Sequence, residues 1–454
     1  TQSQTGLSSS QPARFPPPRL LCRQPRSPAV TPWSPRARYV QTVAGMRTFK
    51  LISNETCNHR CSFCHARRER ERVAIASPTS IRTRLDQAQA EGCQEIVFTG
   101  GEPTLRRDLV RIIAYAQKLG FAALTLETNG STLDAPSITA LVAAGLSTVR
   151  IHCPAWGDAA DAITGVPGSH EQALRAITLC DQAGVAVEVS LPLVAANVPL
   201  AAEIPRHLHD DKLPVARIVA VVPTTTPQPR DCLETSAACA VVEKLAATCR
   251  SLGQTLQLAS EPPIPPCAFD HPSRVAHLFA LTPGGRERPG HTHVAGCSEC
   301  RVFDRCPGPG AALRASGFSA RPIKADRIRR RLSIIASVEQ QIARELVTPE
   351  LYQRHDGVLV RGTTIRVNFN CNQACHFCFV STHLPAAKES RIREVIVEAA
   401  RGGGHVILSG GEPTLNPKLE DYIALAHASG ASRVEIQTNV IGLADATRTE
   451  SLVA

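Results

Sequence analysis

At 454 residues, with 43% hydrophobic content, the chain is long enough for two or three domains with real cores, and no apolar run is long enough to cross a bilayer, which predicts a soluble protein. Of the formal charge of +10, six arginines between residues 14 and 38 contribute +6 with no acid among residues 1–45; the remaining +4 does not argue for a nucleic-acid partner. Seventeen cysteines in so large a chain cluster at metal-ligand spacings and not as a disulfide framework, so reduced cytoplasm is the expected compartment.

In chain order, residues 1–45 are rich in Pro, Arg and Ser and predict disorder. Met46, the only methionine, precedes the first credible strand, which suggests that residues 1–45 are not native; a targeting peptide is the rival, without an apolar stretch for secretion. Short Val/Ile/Leu-rich runs then predict strands at 48–54, 95–99, 123–128, 148–152, 185–191 and 216–222, buried on both faces. Helical patterns at 79–91, 106–119, 136–144, 169–183 and 199–209 lie between them, and a helix at 235–252 closes the unit. Alternation of this kind predicts an α/β fold, a partial (β/α)6 TIM-like barrel over 46–255, with functional loops at the strands' C-terminal ends. A Cys-rich region at 256–320, a helical linker at 321–355 (basic and helical over 324–347) and a second barrel at 356–454, truncated after three βα units, complete the organisation.

Two cysteine motifs decide the chemistry. Cys57-x3-Cys61-x2-Cys64 recurs as Cys371-x3-Cys375-x2-Cys378, and each is followed by Gly-Gly-Glu-Pro-Thr-Leu, at 100–105 and 410–415. Glu127-Thr128-Asn129-Gly130 is matched by Gln437-Thr438-Asn439-Val440, so the chain contains an internal repeat and reads as a piece of a longer tandem protein. Three thiolates can hold three irons of a cubane cluster and leave the fourth iron open. Zinc is the alternative, with His59, His65 or His376 as a fourth ligand. Cys22, Cys93, Cys153, Cys180, Cys232, Cys239 and Cys249 read as small core residues.

With an aromatic, Phe63 or Phe377, before the third cysteine, each motif resembles the signature of the radical S-adenosylmethionine (SAM) superfamily. The resemblance covers 46–310 and, incompletely, 364–454. It implies that Cys57, Cys61 and Cys64 are the catalytic ligands of a [4Fe–4S] cluster that binds SAM and cleaves it reductively to a 5′-deoxyadenosyl radical. It further implies that Gly100, Gly101 and Pro103 shape the approach to SAM and that Glu102 accepts from its ammonium. Thr128 and Asn129 are candidates for its carboxylate or ribose, with helix capping as the alternative; Ser190 and His152 face either the cofactor or the core. Cys371, Cys375, Cys378, Phe377, Gly410, Gly411, Glu412 and Asn439 are the equivalents in the second copy. Cys297-x2-Cys300-x5-Cys306, with Cys267 as fourth ligand, resembles a Twitch/SPASM-like extension with one auxiliary cluster, a zinc knot being the alternative.

Hydrogen abstraction from a peptide or small-molecule precursor is the expected reaction, with a small electron donor such as flavodoxin or ferredoxin. A cofactor-biosynthesis enzyme of molybdopterin-precursor type is the runner-up. A non-catalytic iron–sulfur electron carrier is the alternative of a different class.

Overall fold

The computed structural model describes residues 40–43, 46–65, 67–68, 76–223, 226–259, 264–288, 290–333, 338–353, 359–375, 377–382, 384–444 and 446–453. The expected disorder of residues 1–45 falls outside these, except that Val40–Val43 forms a strand, and His376 falls outside them too.

An eight-stranded sheet carries the first half of the molecule. Its strands are β1 (Val40–Val43), β2 (Met46–Asn54), β3 (Glu95–Gly100), β4 (Ala123–Thr128), β5 (Thr148–His152), β6 (Ala186–Pro192), β7 (Arg217–Val221) and β8 (Leu256–Leu258). They lie in sequence order; β1 pairs antiparallel with β2, and every later pairing is parallel. This is an open, partial barrel. The helices between the strands are α1 (Pro78–Ala90), α2 (Leu109–Lys118), α3 (Ala135–Ala143), α4 (Asp158–Thr164), α5 (Ser169–Gln182), α6 (Ile204–Asp210) and α7 (Thr235–Ser251). Sequence patterning missed β1, β8 and α4, all of them short.

The strands alternate. Leu51, Ile96, Phe98, Leu124, Leu126, Val149, Ile151, Val187 and Val189 are buried in the main core. On the opposite face of β4, β5 and β6, Arg150 bridges Glu127 and Glu188. The strands are buried on both faces, as their short apolar runs predict, but period-two geometry makes one face apolar and places a mutually neutralised charge cluster on the other.

A second, four-stranded sheet comes next in the chain: β9 (Val347–Gln353), β10 (Leu359–Asn368), β11 (His405–Gly410) and β12 (Arg433–Ile436). Its first pairing is antiparallel and the next two are parallel, as in β1 to β4. The repeat therefore includes a leading antiparallel strand that no motif marks. The expected basic helix between the two halves is two helices, α8 (Asp326–Leu332) and α9 (Val338–Leu346).

Candidate functional site

Both Gly-Gly-Glu segments are built around the same irregularity. The β2–β3 register shifts between Ile52 and Asn54, and the β10–β11 register shifts between Arg366 and Asn368. The extra residue bends the strand end and re-aims the loop beyond it. Arg106 donates to the Ser53 carbonyl at 2.7 Å; in the second copy Asn416 donates to the Val367 carbonyl at 2.8 Å. The chain then folds so tightly that a Cβ at Gly101 would stand 2.0 Å from the Thr56 carbonyl oxygen, and one at Gly100 (φ +131°) 2.2 Å from that of Asn54. These glycines are required first by the backbone crossing itself.

Glu102 locks the crossing and is 1% exposed. Its Oε1 accepts from the Thr104 N–H (3.1 Å), the Thr104 hydroxyl (2.6 Å) and the Thr128 hydroxyl (2.7 Å), and its Oε2 accepts from the Asn129 N–H (2.8 Å). Three donors crowd Oε1 and one reaches Oε2, which keeps an acceptor position. Glu102 therefore ties the end of β3 to the end of β4 while it also lines the cysteine cavity. Thr128 is committed to the same network. Asn129 turns its Nδ2 to the Asn58 Oδ1 at 2.9 Å and lies 3.9 Å from the Cys57 sulfur.

The Cys57–Cys64 loop lies over these strand ends. The His59 N–H donates to the Cys57 sulfur at 3.4 Å, and Phe63 packs against Ala155, Ala160 and Ile163 of the β5–α4 segment. Burial pushes the Cys57 thiol up to about 11; burial, with Cys64 and Cys57 beside it, pushes Cys61 up to about 12. Thiols that resist ionising beside one another are poor free nucleophiles, whereas a bound metal would neutralise their charge as they lose their protons. Among the described residues no three His, Cys, Asp or Glu side chains converge as the ligands of a single metal ion would. Three thiols from one loop can hold three irons of a cubane and leave the fourth open.

All three thiols, Phe63, Gly100, Gly101, Glu102 and Asn129 line one cavity of about 640 Å³. Its far wall carries His152 and His170, and His59 joins them from the cysteine loop. Each has a buried ring nitrogen without a hydrogen-bond partner: Nε2 of His59, Nδ1 of His152 and Nε2 of His170. Such groups are costly unless a ligand completes them. His170 was not anticipated; it opens α5, and nothing in the local pattern sets it apart. Ser190 is buried within β6 and is not among the cavity-lining residues.

Beneath the cavity, Arg150 reaches Glu127 and Glu188, each at 2.7 Å. Burial would raise the Glu127 carboxyl, but Lys50, Arg150 and His152 together outweigh it and bring it down to about 2. A depressed carboxyl contributes stability that is full above its unfolded value near 4.5 and is lost as pH falls through about 2. Glu127→Gln is expected to cost about 2–3 kcal/mol at pH 7. It should also shrink the stability difference between neutral and acid pH, measured by urea unfolding.

In the second copy, Glu412 Oε1 accepts from the Thr414 N–H (3.0 Å), the Thr414 hydroxyl (2.6 Å) and the Thr438 hydroxyl (2.6 Å), and Oε2 accepts from the Asn439 N–H (2.7 Å). Asn439 lies 3.9 Å from the Cys371 sulfur, as Asn129 does from Cys57. The frame is thus complete twice. Phe377 is 75% exposed, whereas Phe63 is partly buried against Ala155, Ala160 and Ile163.

The Radical SAM superfamily model matches residues 51–197 and 365–449, which together make up just over half of the chain. The chain belongs to the radical SAM superfamily. Among curated relatives it is similar to an Fe-coproporphyrin III synthase of Methanosarcina barkeri, 30% identical over 35% of this chain and 40% of that protein. It is also similar to a probable GTP 3′,8-cyclase of Thermoplasma volcanium, 36% identical over 30% of this chain and 42% of the relative. A PqqA peptide cyclase of Gluconobacter oxydans is 31% identical over 31% of this chain and 40% of the relative. The chain therefore spans about two fifths of the length of the curated relatives it matches. Radical SAM proteins use a [4Fe–4S] cluster and SAM, and the residues of the first cavity fit such a group on the chemistry of their donor set: three thiols, one N–H directed at a sulfur, and unpartnered imidazoles opposite.

This radical SAM chain brings a second set of thiols together. Cys267, Cys297, Cys300 and Cys306 line one cavity of about 370 Å³ with His293 and Phe303. The Gly308 and Ile323 N–H groups donate to the sulfurs of Cys306 and Cys300, each at 3.4 Å. Burial, with Cys306 and Cys300 nearby, pushes Cys267 up to about 12. Four thiols around one enclosed space suit an auxiliary cluster. Replacing Cys297 and Cys300 together by Ala is expected to lower bound iron by about four per chain while the first site keeps its own. Loss of one zinc, with iron unchanged, would make this a zinc knot.

Proposed function

We propose that this chain is a radical SAM enzyme acting by hydrogen abstraction on a peptide or small-molecule precursor. The observation that carries the reading is the meeting, on one cavity, of three thiols from a single eight-residue loop with the glycine crossing at the end of β3 and a wall of unpartnered histidines. When bound, the cluster and SAM supply an electron and a 5′-deoxyadenosyl radical for that abstraction.

The chain's own residues divide the remaining work. Cys57, Cys61 and Cys64 would hold three irons and leave one open. Glu102 and Asn129 keep the loop and strand ends in register. His59, His152 and His170 offer hydrogen bonds to the polar edge of the ligand. Ala155, Ala160 and Ile163 close the wall behind Phe63 and keep water from the reacting atoms. Cys371, Cys375 and Cys378 would hold a second such cluster.

Two substrate classes compete. The relative named as a peptide cyclase supports a peptide; the relative named as a GTP cyclase, together with the Cys267–Cys306 cavity, supports cofactor biosynthesis of molybdopterin-precursor type. A small electron donor such as flavodoxin or ferredoxin would supply the reducing equivalent. Electron paramagnetic resonance of the dithionite-reduced protein tests the reading. SAM should change the signal of a cluster bound by Cys57, Cys61 and Cys64 and leave the auxiliary signal unaltered. A spectrum indifferent to SAM would favour a plain electron carrier.

A further inference from the structure

A cleft of about 1250 Å³ opens where α8, α9 and β10 meet, with Arg305 next in sequence to Cys306 and Phe379 next to Cys378. Arg305, Arg329, Arg330, Arg344 and Arg366 line it, with Ser333 and Phe379. Two carboxylates, Asp326 and Glu345, also line it, and both already have partners, as does Asp304 beside them. Glu345 accepts from the Ser381 hydroxyl at 2.7 Å and from Gln341 at 3.0 Å. Asp304 takes Arg305 and Arg329 at 3.2 and 3.1 Å, and Asp326 stands 3.5 Å from Arg301. No ion pair holds Arg330, Arg344 or Arg366 within the described residues.

The buried groups of the cleft point to the kind of ligand it would take. Arg366 is only 8% exposed, and its Nε has no hydrogen-bond partner; the Ser333 hydroxyl, equally buried, has none either. Buried donors without acceptors are rare and call for a ligand rich in acceptor oxygens. Five guanidinium groups outnumber two carboxylates in the lining, and a concave surface with such an excess concentrates oppositely charged ligands. Arg366 is anchored by Nη1 to the Glu345 carbonyl and over the Phe379 ring, which leaves its Nε to a ligand. Guanidinium forks pair with carboxylate or phosphate through two parallel N–H bonds.

We propose that this cleft is a binding site for a small polyanion, recognised through clustered oxyanion groups, with Arg330, Arg344 and Arg366 supplying charge and Ser333 one hydroxyl donor. Phosphate and carboxylate ligands share that chemistry, so the test uses one probe of each.

Isothermal titration of the full chain with pyrophosphate and with citrate, at fixed ionic strength, is the experiment. At least one probe is expected to bind with one-to-one stoichiometry. The variant carrying Arg330→Ala and Arg344→Ala should weaken it at least tenfold. Ser333→Ala, which removes no charge and spares the fold, should weaken it several-fold. Tighter pyrophosphate points to a phosphate ligand, and tighter citrate to a carboxylate one. Absence of binding by either probe, or binding indifferent to all three substitutions, overturns the proposal.

Discussion

Glu102→Ala is expected to destabilise the folded chain by about 4 kcal/mol with no ligand present, read as a lower urea midpoint of the metal-free protein. The size reflects how much the carboxylate holds. Two N–H groups and two hydroxyls converge on a side chain 1% exposed, and removing it strands them away from water. Each orphaned donor costs roughly 1–3 kcal/mol, and relaxation of the turn recovers part of the sum. Glu102→Gln keeps the shape but loses the charge and two acceptor positions, and should fall about halfway. If Glu102 served a ligand ammonium alone, the metal-free protein would unfold at the parental midpoint and only ligand affinity would drop. The same substitution at Glu412 should unsettle the second sheet and spare the first, because the two networks share no residue.

Cys57→Ala is expected to remove about four irons per chain and to take SAM cleavage below detection. That loss is larger than the roughly 10–100-fold that changes around a metal's ligands produce. Cys57 receives the His59 N–H and is approached by Asn129, so its loss also frees the polar groups that hold the loop to the strand ends. Cys371→Ala should remove a similar amount of iron from the second loop and leave SAM cleavage at the first almost unchanged, because the two loops share no ligand. Metal analysis beside chromatography of the nucleoside product measures both.

Much of this was legible in the residues themselves. Short Val- and Ile-rich runs alternating with helical patterns placed six strands and most helices of the first half, because apolar periodicity records the face each element buries. Cysteine spacing recorded the two Cys-x3-Cys-x2-Cys loops, since their three ligands come from one short segment. The features that escaped depend on pairing between distant segments. Val40–Val43 is a strand because β2 offers it an edge, inside a stretch whose composition alone argues for disorder. The charge cluster was hidden because Glu127, Arg150 and Glu188 lie on three different strands and neutralise one another only once β4, β5 and β6 are side by side. The structural role of Glu102 escaped because nothing local shows that Thr104, Thr128 and Asn129 donate to it. His170 became visible only when α5 carried it to the wall of the cysteine cavity.

The most direct measurement is anaerobic. Protein loaded with iron and sulfide is mixed with dithionite and SAM, and 5′-deoxyadenosine and methionine are quantified over time. The cavity formed by Cys57, Cys61, Cys64, Gly100 and Gly101 predicts equimolar formation of the two products, dependent on reductant and lost in Cys57→Ala. Intact SAM beside a fully loaded, fully reduced protein would contradict it.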